Sequence, residues 1–156
     1  MTAVILAAIT AGSFTIWVVP QTTQTKIIVS DAKENLDGIM DQQKTVADST
    51  SEEFARMTDG QITPDNYINI ARISSSQVNS FIITIVQSDI PEEWRDSYSA
   101  YTSYLRAYNS YLQETVVVAN KLKENSETDI TEDAAKIATM LNDANSMIDA
   151  SQKARP

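Results

Sequence analysis

The sequence contains no cysteine and no histidine. Disulfides, thiol nucleophiles, imidazole bases and metals held by nitrogen or sulfur are excluded together. The Glu-x-x-His ligand set of di-iron helical proteins is excluded with them. Glycine and proline are scarce, 3 and 4 of 156 residues, and neither a phosphate-cradling glycine loop nor a flexible linker can be assembled from them. Positive charge is short as well: 12 Lys plus Arg against 21 Asp plus Glu leave a net charge of -9. Such a surface repels phosphate backbones, so nucleic acid is not an expected partner. No cofactor, no metal and no enzymatic activity are expected.

One further absence is local. The first 25 residues carry no charged side chain, and every Lys, Arg, Asp and Glu falls after Thr25. Within that stretch Thr2 to Val19 forms an apolar run of 18 residues, roughly 27 Å long as a helix and close to a hydrocarbon core in thickness. No basic residue precedes it, as a cleaved secretory leader would require, so a retained anchor is expected. Phe14 and Trp17 lie toward its far end, where an indole suits the headgroup level, and Pro20 interrupts the helix. Ala7 and Ala11, and likewise Ala8 and Gly12, are four apart, which makes a flat small-residue stripe for close packing of another apolar helix. Membrane lipid or other hydrophobic helices are the partners this stretch calls for, in a homo-oligomer or a larger assembly.

Beyond Pro20 apolar residues recur at helical spacing. The clearest seam is Trp94, Tyr98, Tyr101, Leu105, Tyr108, Leu112, Thr115, Ala119 and Leu122, in alternating steps of four and three. Its helix opens at Pro91 with Glu92 and Glu93 in the first turn. A second helix begins at Thr63 and Pro64 and carries Tyr67, Ala71, Ser74, Val78, Phe81 and Ile85. The last carries Ile130, Ala134, Ile137, Leu141, Ala144, Ile148 and Ser151 behind a capping pair of Asp129 and Glu132. The first is less regular, with Val29, Ala32, Leu36, Ile39, Gln43, Val46, Thr50, Phe54 and Met57 on its seam and Gly60 at its end. Short connections make successive helices antiparallel neighbours. The predicted fold is all-α: a hydrophobic anchor or assembly helix over 1–22, then an acidic antiparallel four-helix bundle over 23–156. The run Phe81 to Val86, apolar on every side, is either the most buried part of the bundle or an exposed docking patch, and burial is the expectation.

Five tyrosines crowd into one helix, and Tyr104 and Tyr111 fall beside the main seam. Trp94, Tyr98, Tyr101, Tyr104, Tyr108 and Tyr111 therefore form a candidate ligand- or partner-facing aromatic strip; core packing with hydroxyls reaching water explains the same pattern. Carboxylates cluster at Glu124, Glu127, Asp129, Glu132 and Asp133, and at Asp48, Glu52 and Glu53. Their places at helix starts fit capping and the helix dipole better than a cation site.

The charge-free stretch AVILAAITAGSFTIWVV, with Pro20 near its end and a long amphipathic helix directly after it, resembles the N-terminal spine of type IV pilin-like proteins. The likeness covers about the first fifth of the chain. It implies a helix that anchors the subunit in the membrane before assembly and bundles into a filament core afterwards. The expected function is that of a non-enzymatic, membrane-anchored structural or accessory subunit at the cell membrane or cell surface, its helical body extracytoplasmic. A pilin-like filament subunit and a small-ligand sensor domain are the alternatives.

Overall fold

The computed structural model of the chain describes residues 27–156. The anchor stretch with Ala8, Ala11, Gly12, Phe14, Trp17 and Pro20 lies outside them. Among the described residues no helix is long and apolar enough to cross a membrane.

The described chain is all-helical, with four long helices: α1 (Ala32–Thr58), α2 (Pro64–Gln87), α3 (Arg95–Glu124) and α4 (Thr131–Lys153). Extended pairing is confined, among the described residues, to two short strands, β1 (Ile27–Ile28) and β2 (Ser88–Asp89), which run parallel with Ile27 opposite Ser88.

Local chemistry sets most of the boundaries. Asp31 caps α1 by accepting from the Glu34 N–H at 2.9 Å, and Thr63 caps α2 ahead of Pro64, accepting from the Asn66 N–H at 3.3 Å. Gly60 ends α1 with φ 71°. The Gln61 N–H bonds the Arg56 carbonyl at 2.8 Å and the Gly60 N–H that of Met57 at 3.0 Å, a reciprocal closure that needs the left-handed residue. Two starts depart from expectation. The turn behind Pro91 is a 3-10 segment, Glu92–Trp94, and α3 proper begins at Arg95. The α4 start does not use an Asp129–Glu132 pair: Asp129 accepts from both the backbone N–H and the hydroxyl of Thr131, at 2.9 and 2.6 Å.

Cross-helix bonds give the directions. Tyr67 at the start of α2 donates to Thr115 late in α3 at 2.7 Å, and Thr50 meets Ser74 at 2.7 Å; α2 thus runs against both α1 and α3. Ser97 and Ser151 exchange hydroxyl-to-carbonyl bonds, both 2.8 Å, at the facing ends of α3 and α4. Tyr98 donates to the Ala32 carbonyl at 2.7 Å, which sets α1 parallel to α3. Helix α3 is the axis of the core. Its seam from Tyr98 to Ala119 is buried throughout, and Ser97, Thr102, Tyr104, Tyr111 and Val118 are buried beside it, because neighbours cover α3 on several sides.

The outer helices bury less. The run Phe81 to Val86 is split: Ile85 is 5% exposed, but Ile83 is 54% and Val86 66% exposed. Helix α2 packs chiefly on α1 and α3, so one side of it meets solvent whatever its sequence. On α4 the seam divides too. Ile137, Ala144 and Ser151, seven apart, are buried, whereas Leu141 and Ile148 are half-buried and Ala134 is exposed.

Burial raises the phenol pKa of all six tyrosines, and Tyr98, desolvated and facing the charges of Asp31 and Asp37, is pushed up to about 12. Folded-state values above the unfolded value of about 10 leave stability untouched below that pH and erode it as pH rises through the folded values. Tyrosinate absorbance should therefore appear together with loss of helical circular dichroism, in one alkaline transition. Tyrosines that titrate while helicity stays full would show that the rings are not buried as described.

Candidate ligand cleft

Rings stack along one face of α3. The centroids of Tyr101 and Tyr104 are 5.2 Å apart, those of Tyr104 and Tyr108 6.0 Å, and those of Tyr108 and Tyr111 5.2 Å, with interplanar angles of 33 to 38°. Offset, tilted geometry of this kind suits aromatic quadrupoles. The ladder floors a cleft of about 980 Å³ whose walls are α1 and α4. Close backbone approach between α1 and α4 is nearly absent, although each lies against α3 or α2.

The same spacing that builds the core builds the walls. Asp37, Asp41, Lys44, Asp48 and Ser51 line the cleft from α1, and Leu141, Asn145, Ile148 and Gln152 from α4, each row in steps of four and three. The row from Asp37 to Ser51 makes a cleft wall roughly 21 Å long. Leu141 and Ile148 are half-buried because they pack on the core on one side and border this cleft on the other.

Of the six aromatics singled out by sequence, the structure brings Tyr101, Tyr104, Tyr108 and Tyr111 together on the floor. Tyr98 turns away, its hydroxyl donating to the Ala32 carbonyl and to Asn35 Oδ1 at 3.1 Å. Trp94 stands behind the end of the cleft, its ring 6.0 Å beneath the Arg155 guanidinium. Arg155, absent from the sequence-based candidates, closes that end by donating to Asp37 Oδ1 at 2.6 Å and to the Met40 sulfur at 3.3 Å.

Hydrogen bonding on the floor is incomplete. Tyr104 accepts from Gln43 Nε2 at 3.4 Å. Tyr108, 1% exposed, has a buried hydroxyl without a hydrogen-bond partner, as do Gln43 Oε1 and Arg155 Nε. The Thr50 side chain, near enough to pull the Tyr108 hydroxyl pKa down as a hydrogen-bonding neighbour against the larger upward push of burial, makes its own bonds to the Val46 carbonyl and Ser74. A buried polar atom left in this state costs about 1–3 kcal/mol.

Electrostatically the walls are mostly self-neutralised. Lys44 pairs with Asp48, and Asp37 takes both Lys33 at 2.8 Å and Arg155, which hold its carboxyl below the ordinary value of 3.8. Asp41, on the same wall, makes neither ion pair nor side-chain hydrogen bond among the described residues. Of the acidic residues clustered in the sequence, some enter ion pairs among the described residues. Asp133 binds Lys121, Glu53 binds Arg56 and Asp129 serves the α4 start. Among the described residues no three carboxylates lie where they could hold a metal ion.

Compared with known protein families, with curated proteins and with solved structures, the chain matches none.

The Asp37–Arg155 bond is the tie between α1 and the end of α4, and its pH dependence follows from the lowered carboxyl. A depressed folded-state pKa contributes stability above the unfolded value and loses it as pH falls through the folded one. Near neutral pH, Asp37→Asn should cost up to about 1 kcal/mol, as expected of a half-exposed pair. In denaturant titrations at falling pH, the gap between variant and parent should close below 3.8. A gap that persists in acid would mean that Asp37 acts through packing rather than charge.

Proposed function

We propose that the chain is a small-ligand-binding helical module, an antiparallel four-helix bundle over residues 23–156 carried on an N-terminal hydrophobic helix over 1–22. The observation that supports it is the tyrosine-floored cleft between α1 and α4, with the unpartnered Tyr108 hydroxyl in its floor. The cleft is of the size that small molecules occupy. Its mixture of aromatic floor, aliphatic wall and spare polar atoms is the mixture that orients a ligand. Binding without turnover agrees with a chain that lacks both histidine and cysteine. A ligand that bridges α1 and α4 favours one spacing of the two walls, and ligand binding in this way becomes a conformational signal.

The apolar run Thr2 to Val19 supports a second, compatible role as a membrane-anchored structural or accessory subunit, including the pilin-like alternative, with the helical body extracytoplasmic. Here association runs through the small-residue stripe at Ala8, Ala11 and Gly12, and Phe14, Trp17 and Pro20 mark the end of the apolar helix.

Two outcomes are expected. Tyr108→Phe should leave stability unchanged or raise it by up to about 1 kcal/mol, since a buried hydroxyl without a partner is removed, while weakening ligands found by thermal-shift screening of a diverse small-molecule library. A screen with no stabilising compound, where saturation at about 100 Kd should add about 2.7 kcal/mol, would remove the binding role. Separately, Gly12→Leu should reduce association of the full chain in detergent, measured by sedimentation, and leave the circular dichroism of the helical body intact. Unchanged association would remove the role of the stripe.

A further inference from the structure

We propose that the cleft binds an α-amino acid as its zwitterion, carboxylate on Arg155 and ammonium on Asp41, with a long side chain that ends in an uncharged hydrogen-bonding group near Tyr108. The assignment rests on the cleft being a ligand site, and it follows from which polar atoms there remain unused.

Two opposite charges with spare capacity stand at one end of the cleft. Arg155 uses one terminal nitrogen on Asp37 and Met40, while its Nε–H is enclosed without a partner. A guanidinium carries five donors in a fixed fork suited to a carboxylate, and the Trp94 ring beneath it holds the fork in place. Asp41, on the α1 wall, has no ion pair or side-chain hydrogen bond among the described residues. Its charge is felt by the Tyr101 phenol across the cleft.

Their spacing selects the ligand. Asp41 follows the Arg155 contacts Asp37 and Met40 by four residues and by one, so Asp41 and Arg155 lie within about one helical turn, roughly 6 Å along α1. An ammonium and a carboxylate on a single carbon bridge that interval. A simple amine leaves the Arg155 Nε–H unused, and a simple carboxylate leaves Asp41 unused and meets a protein of net charge -9. A zwitterion satisfies both and carries no net charge against that field.

The floor then specifies the tail. Tyr108 lies seven residues beyond Tyr101, about 10 Å along α3, past the aliphatic wall of Leu141 and Ile148. Its hydroxyl, 1% exposed and unpartnered, needs a polar atom from the ligand. The charged pair beside this part of the cleft, Lys44 with Asp48, is already closed, so a charged tail gains nothing there. A side chain of glutamine length that ends in an amide fits these demands.

Calorimetric titration and thermal shift of the full 156-residue chain with L-glutamine test the assignment, against L-norleucine, L-glutamine amide and N-acetyl-L-glutamine. L-Glutamine should bind and stabilise. Loss of one charge-assisted contact should weaken binding at least about tenfold for the amide, for the N-acetyl compound and for the exposed-site variant Asp41→Asn. Tyr108→Phe should weaken L-glutamine and leave L-norleucine unchanged. If the amide or the N-acetyl compound binds as tightly as L-glutamine, the zwitterion class is wrong and the cleft remains a ligand site. If L-glutamine fails while library compounds bind and lose affinity in Tyr108→Phe, the class is again overturned and the cleft stands. If neither L-glutamine nor any library compound binds, both fall.

Discussion

A buried phenol must bury its ring and still find a partner for its hydroxyl, and six tyrosines make that demand at once in this chain. Three are met by protein: Tyr67 reaches Thr115, Tyr98 reaches the Ala32 carbonyl and Tyr104 takes Gln43. The hydroxyls of Tyr101, Tyr108 and Tyr111 have no protein partner of this kind, and all three lie on the cleft floor. Incomplete hydrogen bonding and incomplete helix packing therefore fall in the same place. Aromatic area supplies much of the core's apolar burial, and of the three hydroxyls on the cleft floor only that of Tyr108 is buried without a partner.

Helix α3 explains why the cleft lies between α1 and α4. Small residues, Ser97, Ala144 and Ser151, let α4 approach α3 closely, with reciprocal serine bonds at one end and Lys121–Asp133 at the other. Helix α1 is drawn instead toward α2 through Met57, Tyr67 and Ala71 and the Thr50–Ser74 bond. Each outer helix is satisfied by a different neighbour, and α1 and α4 are left without close backbone approach. Long side chains such as Arg155 span the gap where backbones do not.

Much of the fold was legible in the sequence because it rests on local chemistry and period. The Thr63–Pro64 start, the Gly60 stop and the α3 seam came from cap, turn and heptad rules, and the structure places them there. The Asp129 start slipped because a short side chain serves two adjacent donors of Thr131 more directly than a reciprocal pair with Glu132. Phe81 to Val86 misled because period reports which faces are apolar, not how many helices are available to cover them. The site was half legible. The tyrosine row stood out, but a floor and a seam share one spacing, so sequence could not separate Tyr98, whose hydroxyl bonds the start of α1, from Tyr101, which lines the cleft. Arg155 left no signal: a single basic residue gains meaning only when Asp37, 118 positions away, is brought beside it.

The contact line of α4 has a mechanical corollary. Its fully buried residues, Ile137, Ala144 and Ser151, fall on a single row parallel to the helix axis. A rod whose most deeply buried contacts lie along one edge can pivot about that edge with little change in those contacts. A roll of α4 on α3, latched at one extremity by the Arg155–Asp37 bond, would set the width of the trough above the tyrosines.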